Sequence, residues 1–341
     1  MASLYSTSLK TDYLDASLNQ PNRRLEFKLN PDTAYYSNLR LLGLGATCDT
    51  GASNINSTAG LYGLIQNISL FDGAVEIDRL TEARRFMAFR NLNNTNHDNL
   101  SLTCKLSKGK VGYELQSDGK ISRSSNAEIN QQMPQDGNGS DAVSAYLDLR
   151  KCLPILEQIP YLDTSLMPNL RVVIEFKNNS QIIVNSNRPV DTTEYHPVLA
   201  VDEILDPAVK QNLKNKFKGI AYNAIEHDVI TIADQRTTSA GLGAGVKQVQ
   251  SVNQRVNGFD NKLCGRLLMV KALSDKTINN VANVNQGIGD LDSRAMIGEK
   301  INFQLNGQKL LAGEGLNTPA KIASFLHDSF GDVNILTFCN R

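Results

Sequence analysis

The sequence predicts an all-β protein built as two β-rich units in succession, joined by a helix. Three observations carry that prediction. Runs such as Arg24–Asn30 alternate strictly, with Leu25, Phe27 and Leu29 on one face and Arg24, Glu26 and Lys28 on the other, the period of a half-buried strand. Asp72-Gly73 and Asn306-Gly307 stand between β-rich runs, where such dipeptides accept the positive φ of a tight hairpin turn. Asparagine occurs 35 times and tryptophan not at all, with Gly, Ser and Thr spread throughout, so short elements alternate with many turns.

In chain order, residues 1–24 are polar and aperiodic, which predicts an N-terminal arm that orders only against a partner. The strand at 24–30 follows, then a more apolar candidate in "NLRLLGLGAT". "YGLIQNISLFDGAVEIDRL" predicts a hairpin turning at Asp72-Gly73. Asp78 or Thr81 is placed to cap a helix carrying Leu80, Ala83, Phe86 and Met87 on one face. Residues 91–142 are rich in Asn, Ser, Gly and Asp, interrupted by the alternating "LSLTCKLS"; within them "NQQMPQDGNGSD" predicts an exposed loop.

Leu147–Phe176 predicts a strand, a short helical crossing around Pro154, a loop bracketed by Pro160 and Pro168, and a strand "LRVVIEF" with Leu170, Val172, Ile174 and Phe176 inward. "HPVLAVDEIL" adds a strand. Asp206-Pro207 then opens a helix with proline at its first position, Val209, Leu213 and Phe217 recur every four residues, and Gly219 stops it. Residues 25–205 thus form a first unit, 206–219 a connecting helix and 220–341 a second unit. The second unit offers strands in "IAYNAIEHDVITIA", "VQSVNQRVNGF" and "LCGRLLMVKAL", the hairpin "INFQLNGQKLL", a capped amphipathic helix from Asn317 to Phe330 and a last strand "VNILTFCNR". Hairpin, loop and capped helix here parallel residues 62–92.

At 341 residues the chain is long enough for two cores. Lys+Arg and Asp+Glu are both 35, so no net field draws nucleic acid or an anionic membrane. The cysteines Cys48, Cys104, Cys152, Cys264 and Cys339 lie far apart without C-x-x-C spacing, against a disulfide framework or zinc site and in favour of reduced thiols. The N-terminus has neither a basic n-region nor an apolar h-region, so no secretory signal is expected. No apolar run approaches the roughly 18 residues that span a bilayer, and a soluble chain is expected.

Each candidate for chemistry has a structural counterpart that reads better. Cys152, between Lys151 and Leu153, has a basic neighbour that would lower its pKa, but a small apolar residue on the buried face of a short helix is the better reading. His97, His196, His227 and His327 sit in unrelated segments; in "IEHDV" the carboxylates beside His227 point to the opposite face of a strand. "SAGLGAGVK" lacks the G-K-[ST] and the helix start of a phosphate cradle, and reads as a loop. Asp202 and Glu203 read as solvated charges rather than an acid and base pair, and the basic helix "NLKNKFKG" as a solvated face. The N-x-[ST] matches at Asn56, Asn93 and Asn178 follow from asparagine abundance. No catalytic, cofactor-binding or metal residue is assigned, no cofactor is implied, and the chain is not expected to be an enzyme.

The series "GLYGLIQNISLFDGAVEIDRL … RRFMAFRNLN", "LDLRKCLPIL … LRVVIEF", "RVNGFDNKLCGRLLMVK" and "EKINFQLNGQKLLAGEGLNTPAKIASFLHDSFGD", in that order between residues 24 and 335, resembles the double jelly-roll major capsid proteins of polinton-like viruses and virophages. The resemblance implies two consecutive eight-stranded antiparallel jelly rolls, the first over 25–205 and the second, compact or incomplete, over 220–341, with short helices in inter-strand loops. It makes Leu147–Phe176 the last part of the first roll, and residues 62–92 and 301–331 equivalent segments. It further implies a homotrimeric, pseudo-hexagonal capsomer that tiles an icosahedral shell, located in the virion and assembled inside the host cell. The partners would be other copies of the chain, minor capsid or penton proteins and, where the shell has one, an internal membrane, with no sequence-specific nucleic-acid binding. External loops would come from 91–142 and 233–247. The alternatives are a minor capsid or penton protein, or a β-sandwich receptor- or carbohydrate-binding protein.

Overall fold

The structure, a computed structural model, describes residues 9–48, 54–55, 60–93, 113–115, 121–123, 131–132, 144–177, 190–193, 195–216, 221–228, 301–305, 307–311, 313, 315–318, 320–321, 324–325 and 328. The chain divides into two compact units, one made of residues 1–225 and 270–341 and the other of 226–269; nearly all of the second lies outside the described residues.

Eleven strands form the two main sheets of the first unit among the described residues: β1 (Leu9–Asp15), β2 (Leu18–Gln20), β3 (Arg24–Lys28), β4 (Ala34–Tyr36), β5 (Arg40–Gly45), β6 (Ile65–Asp72), β7 (Val75–Thr81), β8 (Ser144–Asp148), β9 (Tyr161–Asp163), β10 (Leu170–Phe176) and β11 (Val198–Ile204). In one sheet β11 pairs along its length with β1, and on its other side with β5 and β4, which in turn pair with β8 and β9. The other sheet runs β2-β3-β10-β6-β7. Every pairing is antiparallel. The chain enters the first sheet with β1, crosses to the second for β2 and β3, returns for β4 and β5, crosses for β6 and β7, returns for β8 and β9, crosses for β10 and returns for β11. This alternation places two sheets around one core, to which Leu41, Leu44, Leu147, Leu199 and Val201 contribute from the first and Leu25, Phe27, Ile68, Leu70, Val172 and Ile174 from the second.

The alternating runs form the strands expected of them, and Leu25, Phe27 and Leu29 are buried. The hairpin β6–β7 forms, with its two-residue loop one position later than the dipeptide suggests: Asp72 pairs with Val75, and Gly73, at φ +58°, is the first loop residue. Asp72 instead accepts a hydrogen bond from the Asn169 amide (3.0 Å), tying the hairpin tip to the loop before β10. The crossing between β8 and β10 has the expected form: a 3-10 turn over Leu149–Lys151, helix α2 (Pro154–Gln158) and an additional strand, β9. Helix α3 (Pro207–Lys216) is capped by Asp206, whose Oδ1 accepts from the Ala208 amide (2.8 Å), and it buries Leu213 beside Ala34 and Ile204.

Two expectations are corrected. The arm proposed for residues 1–24 is, from Leu9 to Gln20, a continuous part of the sandwich: β1 covers β11 and β2 pairs with β3. An edge strand exposes most of its side chains, so only Leu9, Asp12 and Leu14 are half-buried in β1 and the sequence shows little alternation. The strand expected from residue 220 is absent at 221–228, which carry no regular secondary structure. Tyr222 and Ile225, three apart rather than two, are the residues that pack there against the core.

Short pairings join residues 113–115 with 121–123, 131–132 with 54–55, and 190–191 with 47–48. Asn22, at φ +61° in the β2–β3 turn, holds the last of these in place: its Nδ2 donates to Asp191 Oδ1 (3.0 Å) and its Oδ1 accepts from the Thr192 amide (2.8 Å). The expected Asn306-Gly307 hairpin forms between Gln304–Leu305 and Gln308–Lys309, with Gly307 at φ +80°. Ile301 pairs with Leu316. Helical backbone at 320–321, 324–325 and 328 follows, repeating the order of hairpin and helix found at β6, β7 and α1 (Ala83–Asn93). "LSLTCKLS", "VQSVNQRVNGF", "LCGRLLMVKAL", "VNILTFCNR" and the 233–247 loop lie outside the described residues.

Candidate functional site

The residues that the sequence offers for chemistry are dispersed, and each is engaged locally. Cys152 is fully buried behind the 3-10 turn, and burial pushes its thiol up to about 12, so the thiolate needed for nucleophilic attack is suppressed. Native protein treated with iodoacetamide is therefore expected to carry no label on Cys152 until it is denatured, as read by peptide mass mapping. Asp202 and Glu203 point to opposite sides of β11. Asp202 accepts from Thr11 (2.7 Å), Asn38 (2.7 Å) and Arg40 (2.5 Å); burial alone would raise its pKa, but these donors outweigh it and hold the carboxyl below its ordinary range. Glu203 accepts from Thr33 (2.6 Å) and Lys210 (3.3 Å). The two carboxylates do not converge on a common point, and neither is merely solvated: they bind β1 to β11 and α3 to the sheet.

His196 and His227 are exposed. Among the described residues no group of three or more His, Cys, Asp or Glu side chains is placed to hold a metal ion. In the basic helix Lys214 is exposed, and Leu213 faces inward. His97, His327, Asn56, Asn178 and the glycine-rich 239–247 lie outside the described residues, as does the side chain of Asn93.

What the structure does bring together is a polar joint around α1 and the β8–β10 crossing. The β6–β7 ladder shifts register so that Leu70 opposes Asp78 and Phe71 opposes Glu76, which leaves Ile77 as the extra residue of a bulge. The bulge turns Asp78 away from the expected role as cap of α1. Its Oδ2 accepts instead from the Ile155 amide (2.9 Å), in the first turn of α2, while Oδ1 accepts from the Arg79 amide (2.9 Å). Burial raises the Asp78 pKa against those two amides. Leu153, the residue preceding α2, has no side-chain oxygen to cap it, so a carboxylate remote in sequence performs the function.

Glu82, at φ +52°, begins α1: its carbonyl accepts from the Arg85 and Phe86 amides, and its own amide donates to Asn67 Oδ1 (3.3 Å). Its carboxylate lies 3.1 Å from Arg84 Nε, 3.7 Å from Lys177 Nζ and 3.8 Å from Arg85 Nε. Burial would raise the Glu82 pKa, but Arg84, Lys177 and Arg85 together hold it below its ordinary value. Arg84 is itself fully buried. On the far side of α1, Arg90 grips Glu157 of α2 through both its oxygens (3.1 and 2.5 Å) and donates to the Lys151 carbonyl (2.9 Å). Tyr62 completes the joint: its hydroxyl accepts from the Asp148 amide (2.9 Å) and donates to the Asp148 carbonyl (3.1 Å). Burial, with Cys152 and Asp148 close by, keeps that hydroxyl protonated.

The sequence reading missed this joint because its members lie far apart in the chain, as for Glu82 and Lys177 or for Tyr62 and Asp148, 86 residues apart. The clustered charges of "TEARR" were its only local signal. Chemically the joint fixes segments to one another, because its carboxylates are occupied by amides and cations of the chain itself. The surface open to other molecules includes large apolar side chains at Tyr13 on β1, Val75 at the β6–β7 tip and Leu166 before β10, respectively 63%, 66% and 58% exposed. Among the described residues no helix is long and apolar enough to cross a membrane.

No protein-family model and no curated protein matches the chain. Among solved structures it is similar to the Faustovirus major capsid protein, with 9% identity over 61% of this chain and 56% of that one and a TM-score of 0.39. It is also similar to the PBCV-1 virus capsid in a quasi-atomic model (13% identity, 60% and 44% covered, TM-score 0.33). A third similarity is to PBCV-1 VP54 fitted into a reconstruction of the virophage Sputnik (14% identity, 60% and 45% covered, TM-score 0.33). The chain spans about half the length of these structures. TM-scores this low leave its architecture to be argued from its own strand order.

Proposed function

We propose that the chain is a non-enzymatic viral shell subunit: a major capsid protein whose copies associate in threes into pseudo-hexagonal capsomers that tile an icosahedral virion. The observation that carries this reading is the path of the chain, which crosses repeatedly between two facing antiparallel sheets from β1 to β11, laying down one or two strands before each crossing. That winding suits a wall element, because each sheet is fixed by connections to the other and neither slides without breaking the shared core. Two of the sequence blocks that resemble the double jelly-roll capsid proteins, residues 60–93 and 147–176, are the blocks joined by the polar joint. In this reading the first roll is residues 25–205 with β1 and β2 added before them, 206–219 is the connecting helix, and the second roll falls within 226–341. The equal numbers of acidic and basic residues suit a subunit that contacts its own copies more than a genome. Minor capsid or penton proteins would be further partners.

The test is the native mass by light scattering after size exclusion, on protein purified without denaturant. The expected species is a stable trimer of about 112 kDa, three copies of 37.4 kDa. A monodisperse monomer at all concentrations would sink the shell reading and favour a β-sandwich binding module.

A further inference from the structure

We propose that Ala221–Ile225 is a strap that plugs the bulged outer edge of the second sheet and keeps that edge from pairing with another copy of the chain. The inference concerns the fold itself and stands apart from the shell reading. Among the described residues β7 is the last strand of its sheet, and no strand pairs with its outer side. An edge strand of seven residues is a template for a foreign strand unless something covers or distorts it.

Two features meet there. The bulge at Ile77 interrupts the ladder, and the Ile77 carbonyl accepts a hydrogen bond from the Tyr222 hydroxyl. Next in the chain, Asn223 pairs with the side-chain amide of Gln158 at the end of α2: its amide donates to Gln158 Oε1 (2.8 Å) and its carbonyl accepts from Gln158 Nε2 (3.0 Å). The glutamine presents one donor and one acceptor side by side, as an adjacent strand would, so a segment without regular structure is held by strand-like bonds. Tyr222 and Ile225 pack their apolar parts against the core on either side of that pair. A segment passing by chance would not present two apolar anchors, a two-way amide pair and a hydroxyl bonded to the carbonyl of the bulge residue itself.

The experiment is hydrogen exchange by mass spectrometry on the full chain and on the Tyr222→Phe/Gln158→Ala double variant, with native mass measured in parallel. Peptides covering 221–225 and 75–81 report the strap and the edge, and a peptide covering 170–176 reports whether the sandwich remains folded. In the wild type, 221–225 is expected to be protected. In the double variant its exchange should rise about tenfold, that of 75–81 should rise with it, that of 170–176 should stay unchanged, and the mass should exceed that of the wild type at equal concentration. Tyr222→Phe alone, which keeps the ring and its packing, should give a smaller rise in the same peptides. Exchange of 221–225 at the rate of an unstructured peptide in the wild type would overturn the strap. Opening of the strap without added association would overturn its role as a guard.

Discussion

Arg84→Met is expected to lower the stability of the fold by about 3 kcal/mol, measured as a shift of the urea midpoint at unchanged slope. Arg84 is fully buried, and its guanidinium faces the Glu82 carboxylate, so the substitution removes the nearest cation from a charge that is itself largely shielded from water. The loss should fall at the lower end of the range for a broken buried pair, because Lys177 and Arg85 remain near Glu82. The effect has a defined pH dependence. The Glu82 pKa is lowered in the folded state, so its stabilisation is present above the unfolded carboxylate value and disappears as pH falls through the folded one. The gap between wild type and variant should therefore be widest near neutrality and narrow in acid. Adding Glu82→Gln to the variant should recover part of the loss at pH 7, because the buried charge is then gone. A gap independent of pH would show that Arg84 acts through packing alone.

Phe27→Ala should cost about 3–5 kcal/mol. Phe27 is fully buried on β3, opposite Val172 of β10, where the two sheets share their core. Its removal leaves a cavity between pleated surfaces that are tied on both sides by hydrogen-bond ladders and cannot close over it. Tyr13→Ala is the matched control: the ring is 63% exposed on the edge strand β1, and a change within about 0.5 kcal/mol is expected. If both substitutions cost the same in chemical denaturation of the purified chain, the assignment of inward and outward faces is wrong.

How much was legible beforehand follows from the range of each signal. Arg24–Asn30, the β6–β7 hairpin, the Pro154 crossing and the Asp206-Pro207 helix start are local patterns, and each formed within a residue or two of its expected place. β1 was not legible: its half-buried residues, Leu9, Asp12 and Leu14, include a charged one and do not keep to one face, so the strand carries too weak a period. Residues 221–225 failed in the opposite sense, since an apolar run that suggested a strand is held by the Gln158 side chain of α2 and a backbone carbonyl of β7 rather than by its own ladder. Cys152 was read as a buried structural residue, and its surroundings agree.

The sequence by itself determined the β character of the chain, the faces of its main strands, the turns to within a residue, and the start of α3 at Asp206-Pro207. All of these depend on the period of apolar residues or on the φ preferences of Gly, Asn and Pro, and need no knowledge of what lies opposite. Tertiary structure alone decided that Asp78 caps α2 rather than α1, that Asp202 takes donors from β1 and β5 while Glu203 meets Lys210 of α3, and that Glu82 gathers Arg84, Arg85 and Lys177. Those outcomes turn on a single-residue bulge at Ile77 and on contacts across tens of residues, where a shift of one position reverses the direction in which a side chain points.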